Sequence, residues 1–509
     1  MPKSSGAAAS PGSAPPRDAP AASASLLEDI LQQAGALTAA DGRWRQFHAA
    51  RDAGSQLRAI FGRALPSDPA RIVELLNRLV AEIDVLLNGQ INAILHAPEL
   101  QALEATWRGL RYLADSIDPE QEGDVRIRVW NCSRRELVRD LERAVEFDQS
   151  QLFQKVYEEE FGTPGGTPYG LLIADYQFTN HPGDVDLLEK LSQVAAAAFA
   201  PCVAGAAPGL FDLESFSQLE RIGSFDATFD RANYVRWRAL RESSDARFIS
   251  LAMPRILMRA PHPETTTRTD GFVFREDVSA PNREGFLWGN AAWGFGNVAI
   301  RAFQSAGWLA SVRGVQPGQR TGGLVDPPRI YWFESDAAGV APRCITEVVI
   351  TEHQDRMLSE CGIMPLCSLP GAGHAAFYST QSLQKARTYD TPEATLNAKM
   401  SGMFQYMLCV SQFARYIKTM ARDYVGAFTE VEDLQRRLSN WLVKYVTLDD
   451  DASPSSKARF PLRQGRILLK PHADRPGSYV CTIHLQPHYE LDDLSAAVQL
   501  TTELSGQRQ

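Results

Sequence analysis

Strand and helix patterns alternate through the middle of this 509-residue sequence. Residues 125–129 are apolar at every second position, which predicts a strand, and Ser133 with Glu136 fits a capping box that opens a helix. A buried strand at 169–174 and a helix at 184–199 repeat this order. Such alternation is typical of helices that cover a sheet, so we predict a mixed α/β (α+β) fold.

Helical spacing dominates on both sides of this region. Apolar residues step by three and four from Ile72 to Leu87, and the same spacing resumes after Pro98, so two helices meet at a proline turn. Helices are predicted over residues 72–87, 99–114, 288–305, 397–422 and 430–445.

The last 50 residues change to strand patterns, over 466–469, 479–485 and 496–504. A polar turn at 475–477 joins the first two strands into a hairpin. Because a lone hairpin is marginally stable, we expect a strand of another chain to complete its ladder; the alternative is a sheet packed within its own domain. The candidate residues of this inter-subunit β arm are Ile467, Leu469, Cys481, Ile483, Leu485, Val498 and Leu500.

The N-terminal region contains an isolated amphipathic helix. Residues 1–23 are rich in Pro, Ala, Ser and Gly, which predicts a disordered tail, and 37–66 reads as a linker. Between them, a helix at 24–36 has no neighbouring domain to cover its apolar face, which is typical of a docking peptide. The alternative is that it folds back on its own domain. Its apolar face consists of Leu26, Leu27, Ile30 and Leu31.

Charge and composition limit which partners and which cellular location we expect for the protein. A net charge of -9 and the lack of a Lys/Arg run argue against nucleic acid or an anionic membrane as partners. Apolar stretches stay short of the roughly 20 residues of a membrane span, and the start does not read as a signal peptide, so we expect a cytoplasmic protein without membrane insertion. The 7 cysteines fit buried thiols in a reducing compartment.

Candidate catalytic and cofactor motifs have simpler explanations. The glycine-rich segment 162–167 lacks the Gly-Lys-Ser/Thr of a nucleotide loop and reads as a turn, and 294–299 matches a dinucleotide fingerprint inside a helix, where close packing explains it better. Cys361 and Cys367 lack zinc spacing. A nucleophile pair of Cys361 with His374 stays open as an alternative.

Other polar groups also have ordinary explanations. His484 and His488 fall on a strand and its exit, residues 449–451 lack a calcium-loop pattern, and the acidic run 158–160 reads as a solvated helix face. We therefore predict no catalytic, cofactor-binding or metal-ligating residues.

Seven stretches resemble one family closely. Together they resemble, in the family's order, the large sheath subunit of bacterial type VI secretion systems, the TssC or VipB family, from about Leu26 to Leu504. This chain departs from the family pattern at 403–406 and at Gln412. The stretches are residues 99–110, 155–162, 168–172, 193–198, 286–292, 397–418 and 458–463.

The resemblance implies a structural protein and not an enzyme. Members pair with a small sheath subunit (TssB or VipA), stack as a six-start helical sheath around a tube of Hcp hexamers on a baseplate, and contract to drive the tube outward. A ClpV-type AAA+ ATPase then recycles the contracted form, and residues 24–36 match its docking segment. The same resemblance implies two sheath domains, 67–382 and 383–509, with flexible arms at both ends, the second domain forming the inner layer.

Elementary physics agrees with this interpretation. The unpaired edge of a sheet can form backbone hydrogen bonds with a strand of another chain. When copies repeat a contact that does not close into a ring, they form a helical filament. Because the sequence contains no nucleotide-binding motif, the energy for contraction must come from a difference in free energy between two packings of the same subunits. Two alternatives stay open: a sheath of another phage-tail-like contractile particle, and a cytosolic α/β enzyme with a cryptic site.

Overall fold

The computed structural model describes most of the chain from residue 43 onward. Its contacts divide the chain into two units, residues 1–89 and 90–509. The docking helix predicted at 24–36 lies outside the described residues. These are 43–61, 65–121, 124–163, 165–262, 271–278, 285–315, 321–329, 344–369, 373–424, 431–449, 451–471, 478–488 and 498–505.

The described part of the first unit is helical. The segment 37–66, predicted as a linker, contains two short helices, α1 (Arg43–Ala49) and α2 (Ala53–Phe61). The long helix α3 (Pro69–Leu95) follows and continues into the second unit. Its first residue is Pro69, whose fixed φ and missing N–H suit the first helical turn. The helix predicted from Ile72 is therefore confirmed.

A parallel sheet organises the second unit. In the described residues its strand order is β1-β2-β3-β7, with all neighbours parallel. Every residue of β2 and β3 is buried, as expected when helices cover both faces of a parallel sheet. Together with the antiparallel sheets, this confirms the mixed α/β fold. The strands are β1 (Leu172–Phe178), β2 (Cys202–Ala206), β3 (Ile249–Met253) and β7 (Ile363–Pro365).

The two faces of this sheet pack into different hydrophobic clusters. Alternate residues of β2 point to opposite sides, so Ala204 joins the first cluster and Val203 the second. Helix α8 (Pro182–Ala197) supplies apolar residues to the first cluster, and helix α11 (Ala291–Ala306) fills the second.

The remaining elements are short or peripheral. The helices are α4 (Pro98–Asp115), α5 (Arg134–Arg143), α6 (Gln151–Phe153), α7 (Glu159–Phe161), α9 (Phe225–Phe229), α10 (Val235–Glu242) and α12 (Glu352–Glu360). A π-helix (Gln154–Glu158) joins α6 to α7, and 3-10 turns lie at Phe147–Gln149, Pro208–Phe211, Phe216–Arg221, Ala232–Tyr234 and Asp245–Phe248. The small antiparallel sheets use β4 (Ile256–Arg259), β5 (Leu287–Gly289), β6 (Leu324–Val325), β8 (Cys367–Ser368) and β9 (Ala375–Ala376).

The strand predicted at 125–129 is wrong, and its predicted pattern of burial is right for Val125 and Ile127 but not for Val129, which is 65% exposed. Val125 and Ile127 pack against the second cluster, and Arg126 is exposed between them. The segment is not assigned to any strand of the described residues. Alternation predicts which side chains turn inward, but a strand also needs a neighbour for its backbone. The capping box of Ser133 and Glu136 is confirmed in full.

The helix predicted over 397–422 is two helices, α13 (Pro392–Ser401) and α14 (Phe404–Tyr424). At the break, the Ser382 backbone N–H and hydroxyl both donate to the Gly402 carbonyl. A contact with a distant segment therefore ends α13, and the local apolar pattern does not reveal it.

The C-terminal region is built on α14. This helix contributes Met407 to the first cluster, Leu408 to the second and Phe413 to the third. The last elements of the chain complete the third cluster. The first and second clusters contain residues from both sides of residue 383, so the core does not mark a domain boundary there. The boundary expected at this residue stays a prediction. The last elements are α15 (Val431–Val443), α16 (Pro454–Arg459), β10 (Leu462–Pro471), β11 (Ser478–Pro487) and β12 (Val498–Ser505).

Two glycines provide a matched test of helix packing. A Cβ on Gly109 in α4 would lie 2.5 Å from the Trp293 ring, whereas a Cβ on Gly89 in α3 would meet nothing within 4 Å. We expect Gly109→Ala to destabilise the protein by about 1–3 kcal/mol through overpacking. Gly89→Ala should stabilise α3 by about 0.5–1 kcal/mol. Thermal unfolding midpoints check both changes, and a Gly109→Ala variant as stable as the wild type would contradict this packing.

Candidate interaction surfaces

The C-terminal sheet gathers the residues predicted to form the β arm. Ile467, Leu469, Cys481, Ile483 and Leu485 are all buried and pack into the third cluster. In the antiparallel register, Val498 of β12 stands opposite Leu485, and Leu500 stands opposite Ile483. The structure therefore brings the seven positions together in one sheet of a single chain, and their role between subunits stays a prediction.

The two edges of this sheet differ. Along β10, the Leu469 N–H donates to Gln435 Oε1 at 2.9 Å, and Leu462 exchanges backbone hydrogen bonds with Tyr445 and Thr447. This edge is thus occupied by the chain itself. At the opposite side, β12 pairs with β11, and no further strand of the described residues pairs with β12. An added strand would find its place there.

A row of cations joins α14 to the parallel-sheet region. Arg415, Lys418 and Arg422 lie three and four residues apart, which places them on one face of the helix. Arg415 is buried, and its Nη1 donates to the carbonyls of Gly170 and Phe199 at 2.9 and 3.0 Å. Burial lowers the pKa of the Arg415 guanidinium to about 10, so it remains charged at neutral pH.

Lys418 is held by aromatic rings. Its Nζ donates to the Tyr157 hydroxyl at 2.7 Å and lies 4.6, 5.1 and 5.7 Å from the ring centres of Tyr157, Phe161 and Phe199. Arg422 continues the row, because its Nη1 donates to carbonyls at the end of α7. These carbonyls belong to Glu160, Phe161 and Thr163.

The acidic run 158–160, predicted as a solvated face, is only partly so. Glu158 and Glu159 are exposed, but Glu160 is buried. Its carboxylate forms an ion pair with Arg128 and accepts the Thr167 N–H at 2.8 Å. The prediction was wrong for Glu160 because its partner lies 32 residues away in sequence.

Comparison with known families identifies the chain. Residues 77–384 match the family model of the VipB (EvpB) tail sheath N-terminal domain, and residues 393–504 match the VipB tail sheath gpW/gp25-like domain. This chain belongs to the TssC/VipB family of type VI secretion sheath large subunits. It is a family of structural sheath proteins and not a known enzyme family.

A curated relative agrees with the family models. The chain is 35% identical over 435 residues to the type VI secretion system sheath protein TssC1 of Pseudomonas aeruginosa, covering 85% of this chain and 86% of the relative. A sheath tail protein from Desulfitobacterium hafniense, a solved structure, is 10% identical with a TM-score of 0.28. That match covers 63% of this chain and 60% of the other, and a TM-score this low does not establish a shared fold.

The positions at which this TssC/VipB chain departs from the expected pattern are buried except for Met403, which is half-buried. Gln412 Oε1 accepts the Leu309 N–H at 3.0 Å, and its Nε2 donates to the Gly307 carbonyl at 2.9 Å. Tyr406 is also buried. In the single chain, Gln412 therefore fixes the loop that follows α11.

The glycine motifs have packing roles. The Gly166 N–H donates to the Thr163 carbonyl at 3.0 Å, which confirms the predicted turn at 162–167. Gly296 lies inside α11, where a Cβ would come 2.6 Å from Ile173 Cδ1. Close approach of a helix to the sheet thus explains the apparent dinucleotide fingerprint, as predicted.

Cysteines and metal-binding side chains do not suggest catalysis. Burial raises the pKa of the Cys361 thiol to about 12, the nearby Asp226 carboxylate adding to the effect, so the thiol stays protonated and is a poor nucleophile. Among the described residues, His, Cys, Asp and Glu side chains form no group of three that could hold a metal ion. No helix in the described ranges is both long and apolar enough to cross a membrane.

Sequence reasoning missed the cation row completely. Its acceptors are backbone carbonyls and aromatic rings that lie up to 262 residues from the cations. The spacing of Arg415, Lys418 and Arg422 was the available signal, but three cations on one helix face are more often solvated. The docking residues Leu26, Leu27, Ile30 and Leu31 lie outside the described residues.

Proposed function

We propose that this chain co-assembles with a small sheath subunit into a six-start helical sheath around a tube of Hcp hexamers, and that contraction of the sheath propels the tube. The match to sheath families over most of the chain carries this proposal. Assembly takes place in the cytoplasm, on a baseplate, with no cofactor.

The C-terminal sheet is the proposed place of connection between neighbouring subunits. Since the chain itself occupies the β10 edge, a strand from a neighbouring subunit joins at β12. Backbone hydrogen bonds at such a junction persist when the linked domains rotate as rigid bodies. In this proposal, residues 67–382 form the outer sheath domain, and residues 383–509 form the inner layer that faces the tube.

The energy of contraction comes from the assembly itself. Subunits assemble in an extended packing of higher free energy and relax into a contracted one, as in other switches between two packings of the same chain. A ClpV-type AAA+ ATPase supplies the work of disassembly afterwards. It engages the apolar face of the helix at 24–36.

The docking helix gives a direct test of recycling. We expect replacement of Leu27 and Ile30 by Asp to leave assembly and contraction intact but to abolish binding of the ATPase's N-terminal domain, because burying a carboxylate in an apolar groove costs several kcal/mol. A peptide titration measures this affinity. The control is Gln32→Asp on the polar face, which should bind like the wild type. Equal affinity of the Leu27/Ile30 variant would contradict the proposal.

Co-expression tests the central claim. Expressed alone, the chain should aggregate, whereas with the small sheath subunit it should give hollow tubes visible by negative-stain electron microscopy. A stable monomer that ignores the small subunit would refute co-assembly.

A further inference from the structure

The segment 125–131, between α4 and α5, has unpaired backbone groups. None of its N–H or C=O groups makes a hydrogen bond within the part of the chain that the structure describes. In a sheet, such groups bond to a second strand, residue after residue along the ladder. The segment thus has the side-chain alternation of a strand, while its backbone is left able to pair with one.

Its alternation matches that of β1, the edge strand of the parallel sheet. In β1, Ala174 packs against the first cluster and Ile173 against the second. Along the segment, Ile127 packs against the second cluster, and Cys132, just beyond its end, packs against the first. In both stretches, even-numbered residues therefore face one side and odd-numbered residues the other, as in two strands of the same sheet.

Side chains connect the two stretches where backbone bonds would join adjacent strands. The Tyr176 hydroxyl donates to the Cys132 carbonyl at 2.6 Å, and Arg134 Nη1 donates to the Gln177 carbonyl at 3.2 Å. Adjacent strands lie about 4.8 Å apart, and bonds that need the full length of a tyrosine or arginine side chain fit about twice that spacing. Since β1 pairs with β2 alone among the described strands, one further strand would fit between β1 and the segment.

The side chains beside this position define the strand that it accepts. Towards the second cluster lie the apolar residues Val125, Ile127 and Ile173. Arg126 turns to the opposite side and is 64% exposed, and its ion pair with Asp124, which is 70% exposed, leaves it able to bind a second carboxylate. A matching strand is therefore apolar at alternate positions and carries a carboxylate between them.

We propose that a strand of the small sheath subunit with this pattern lies between β1 and the segment 125–131, with its carboxylate beside Arg126. Every strand of the described residues already lies in a sheet, which favours a second chain as the source. The inference rests on the proposed function and adds a strand-pairing site for the small subunit. This site is separate from β12, where a neighbouring heterodimer would connect.

Hydrogen exchange of the co-expressed heterodimer tests the pairing residue by residue. The Cys132 carbonyl points to β1, and alternate residues of a strand turn their backbone groups to the same edge, so the N–H groups of Arg126, Arg128 and Trp130 face the added strand. Their exchange should be at least about 100-fold slower than in a synthetic peptide of residues 120–136. Ile127 and Val129 are the internal controls and should exchange within about tenfold of the peptide. Exchange of all these amides at the peptide rate would overturn the proposal.

Two neighbouring prolines give a matched test of binding. Trp130→Pro removes an N–H that faces the added strand, whereas Val129→Pro removes one on the outer edge. Neither N–H is hydrogen-bonded within the described chain, so neither proline takes a bond from the chain itself. With Trp130→Ala as the baseline for loss of the ring, Trp130→Pro should reduce co-purification with the tagged small subunit at least about tenfold further. Val129→Pro should stay within about twofold of Val129→Ala.

The arginine gives an independent readout. Arg126→Glu should weaken binding of the small subunit about three- to tenfold at low salt, and the difference should shrink at high salt, because salt screens an exposed charge pair. An affinity unchanged at low salt would contradict a carboxylate beside Arg126.

The outcomes separate the strand from the proposed function. If Trp130→Pro co-purifies like Trp130→Ala and still forms tubes, the strand proposal is wrong and the proposed function stands. A photoreactive benzophenone side chain introduced at Val129 identifies the chain that lies beside the segment. Cross-links to the small subunit support the proposal, and cross-links between two copies of this chain or within one copy overturn it. If the wild-type chain itself fails to bind the small subunit, the proposed function fails as well.

Discussion

Deletion of residues 495–509 is expected to leave a folded, soluble heterodimer that no longer polymerises into tubes. The deletion removes the whole of β12, Val498–Ser505, and with it the strand at which a neighbouring subunit would add to the sheet. The third cluster keeps its contributions from α14, α15, β10 and β11. Loss of the ladder therefore removes the connection between heterodimers without removing the core beneath it.

Electron microscopy and size-exclusion chromatography measure this outcome. Deletion of residues 506–509 alone is the matched control, since it shortens the chain but leaves β12 complete, and it should polymerise normally. Full-length tubes from the 495–509 deletion would favour a sheet packed within its own domain and would end the arm-exchange interpretation.

Loss of the Arg259 guanidinium is expected to have the largest effect on stability. Arg259 is buried and donates from Nη1 and Nη2 to the two carboxylate oxygens of Glu276 at 2.7 and 2.9 Å, and from Nε to Glu104 at 3.0 Å. Arg259→Leu leaves Glu276 charged and buried without its partner. Breaking one side of a buried ion pair costs about 3–5 kcal/mol.

An exposed ion pair serves as the control for this substitution. Arg111 pairs with Asp115 on the surface of α4, with side chains 80% and 68% exposed. Arg111→Leu should therefore change stability by less than about 1 kcal/mol. Thermal unfolding of both variants gives the comparison, and equal midpoints would mean that the Arg259 pair adds little to the fold.

The same pair predicts a dependence on pH. Burial tends to raise the pKa of Glu276, but its hydrogen bonds to Arg259 and to the His262 N–H, with the arginine charge, hold that pKa below the usual range of a glutamate. A carboxyl group whose pKa is lower in the folded protein than in the unfolded chain stabilises the fold at pH values above its unfolded pKa, about 4.3. This stabilisation is lost as the pH falls through the pKa of the group in the folded protein. The difference between wild type and Arg259→Leu should therefore shrink in acid, because Glu276 takes up a proton in both proteins.

Local signals predicted much of the fold. Side-chain spacing was sufficient for α3, for the turn after α7 and for the strands of the C-terminal sheet, and the Ser133 capping box is formed as expected. These features depend on neighbours within a few residues. Sequence reasoning failed where a distant group decides the outcome: the strand at 125–129 lacks a partner, and the Ser382 contact interrupts the predicted helix at Gly402.

For the candidate interaction surfaces, too, features set by nearby residues were predicted and features set by distant groups were not. The alternation of Ile467 and Leu469 predicted which face of β10 is buried, and the structure agrees. The edge that the chain itself covers could not be predicted, because Gln435 reaches β10 from another element. Whether the seven arm positions and the helix predicted at 24–36 bind other chains stays a prediction for the experiments above.

The cation row constrains the sequence more strongly on α14 than at the carbonyl groups that accept its hydrogen bonds. Arg415 and Arg422 donate to carbonyls of the main chain, which every amino acid provides, so a substitution at Thr163 that preserves the backbone leaves the Arg422 bond intact. Gly170 differs, because a Cβ there would come 3.3 Å from Arg415 Nη2. On α14, by contrast, no shorter or neutral side chain reaches the same acceptors. In a lineage of such proteins, Thr163 is free to drift, while Gly170 and the identity of the two arginines have to be retained for α14 to stay attached.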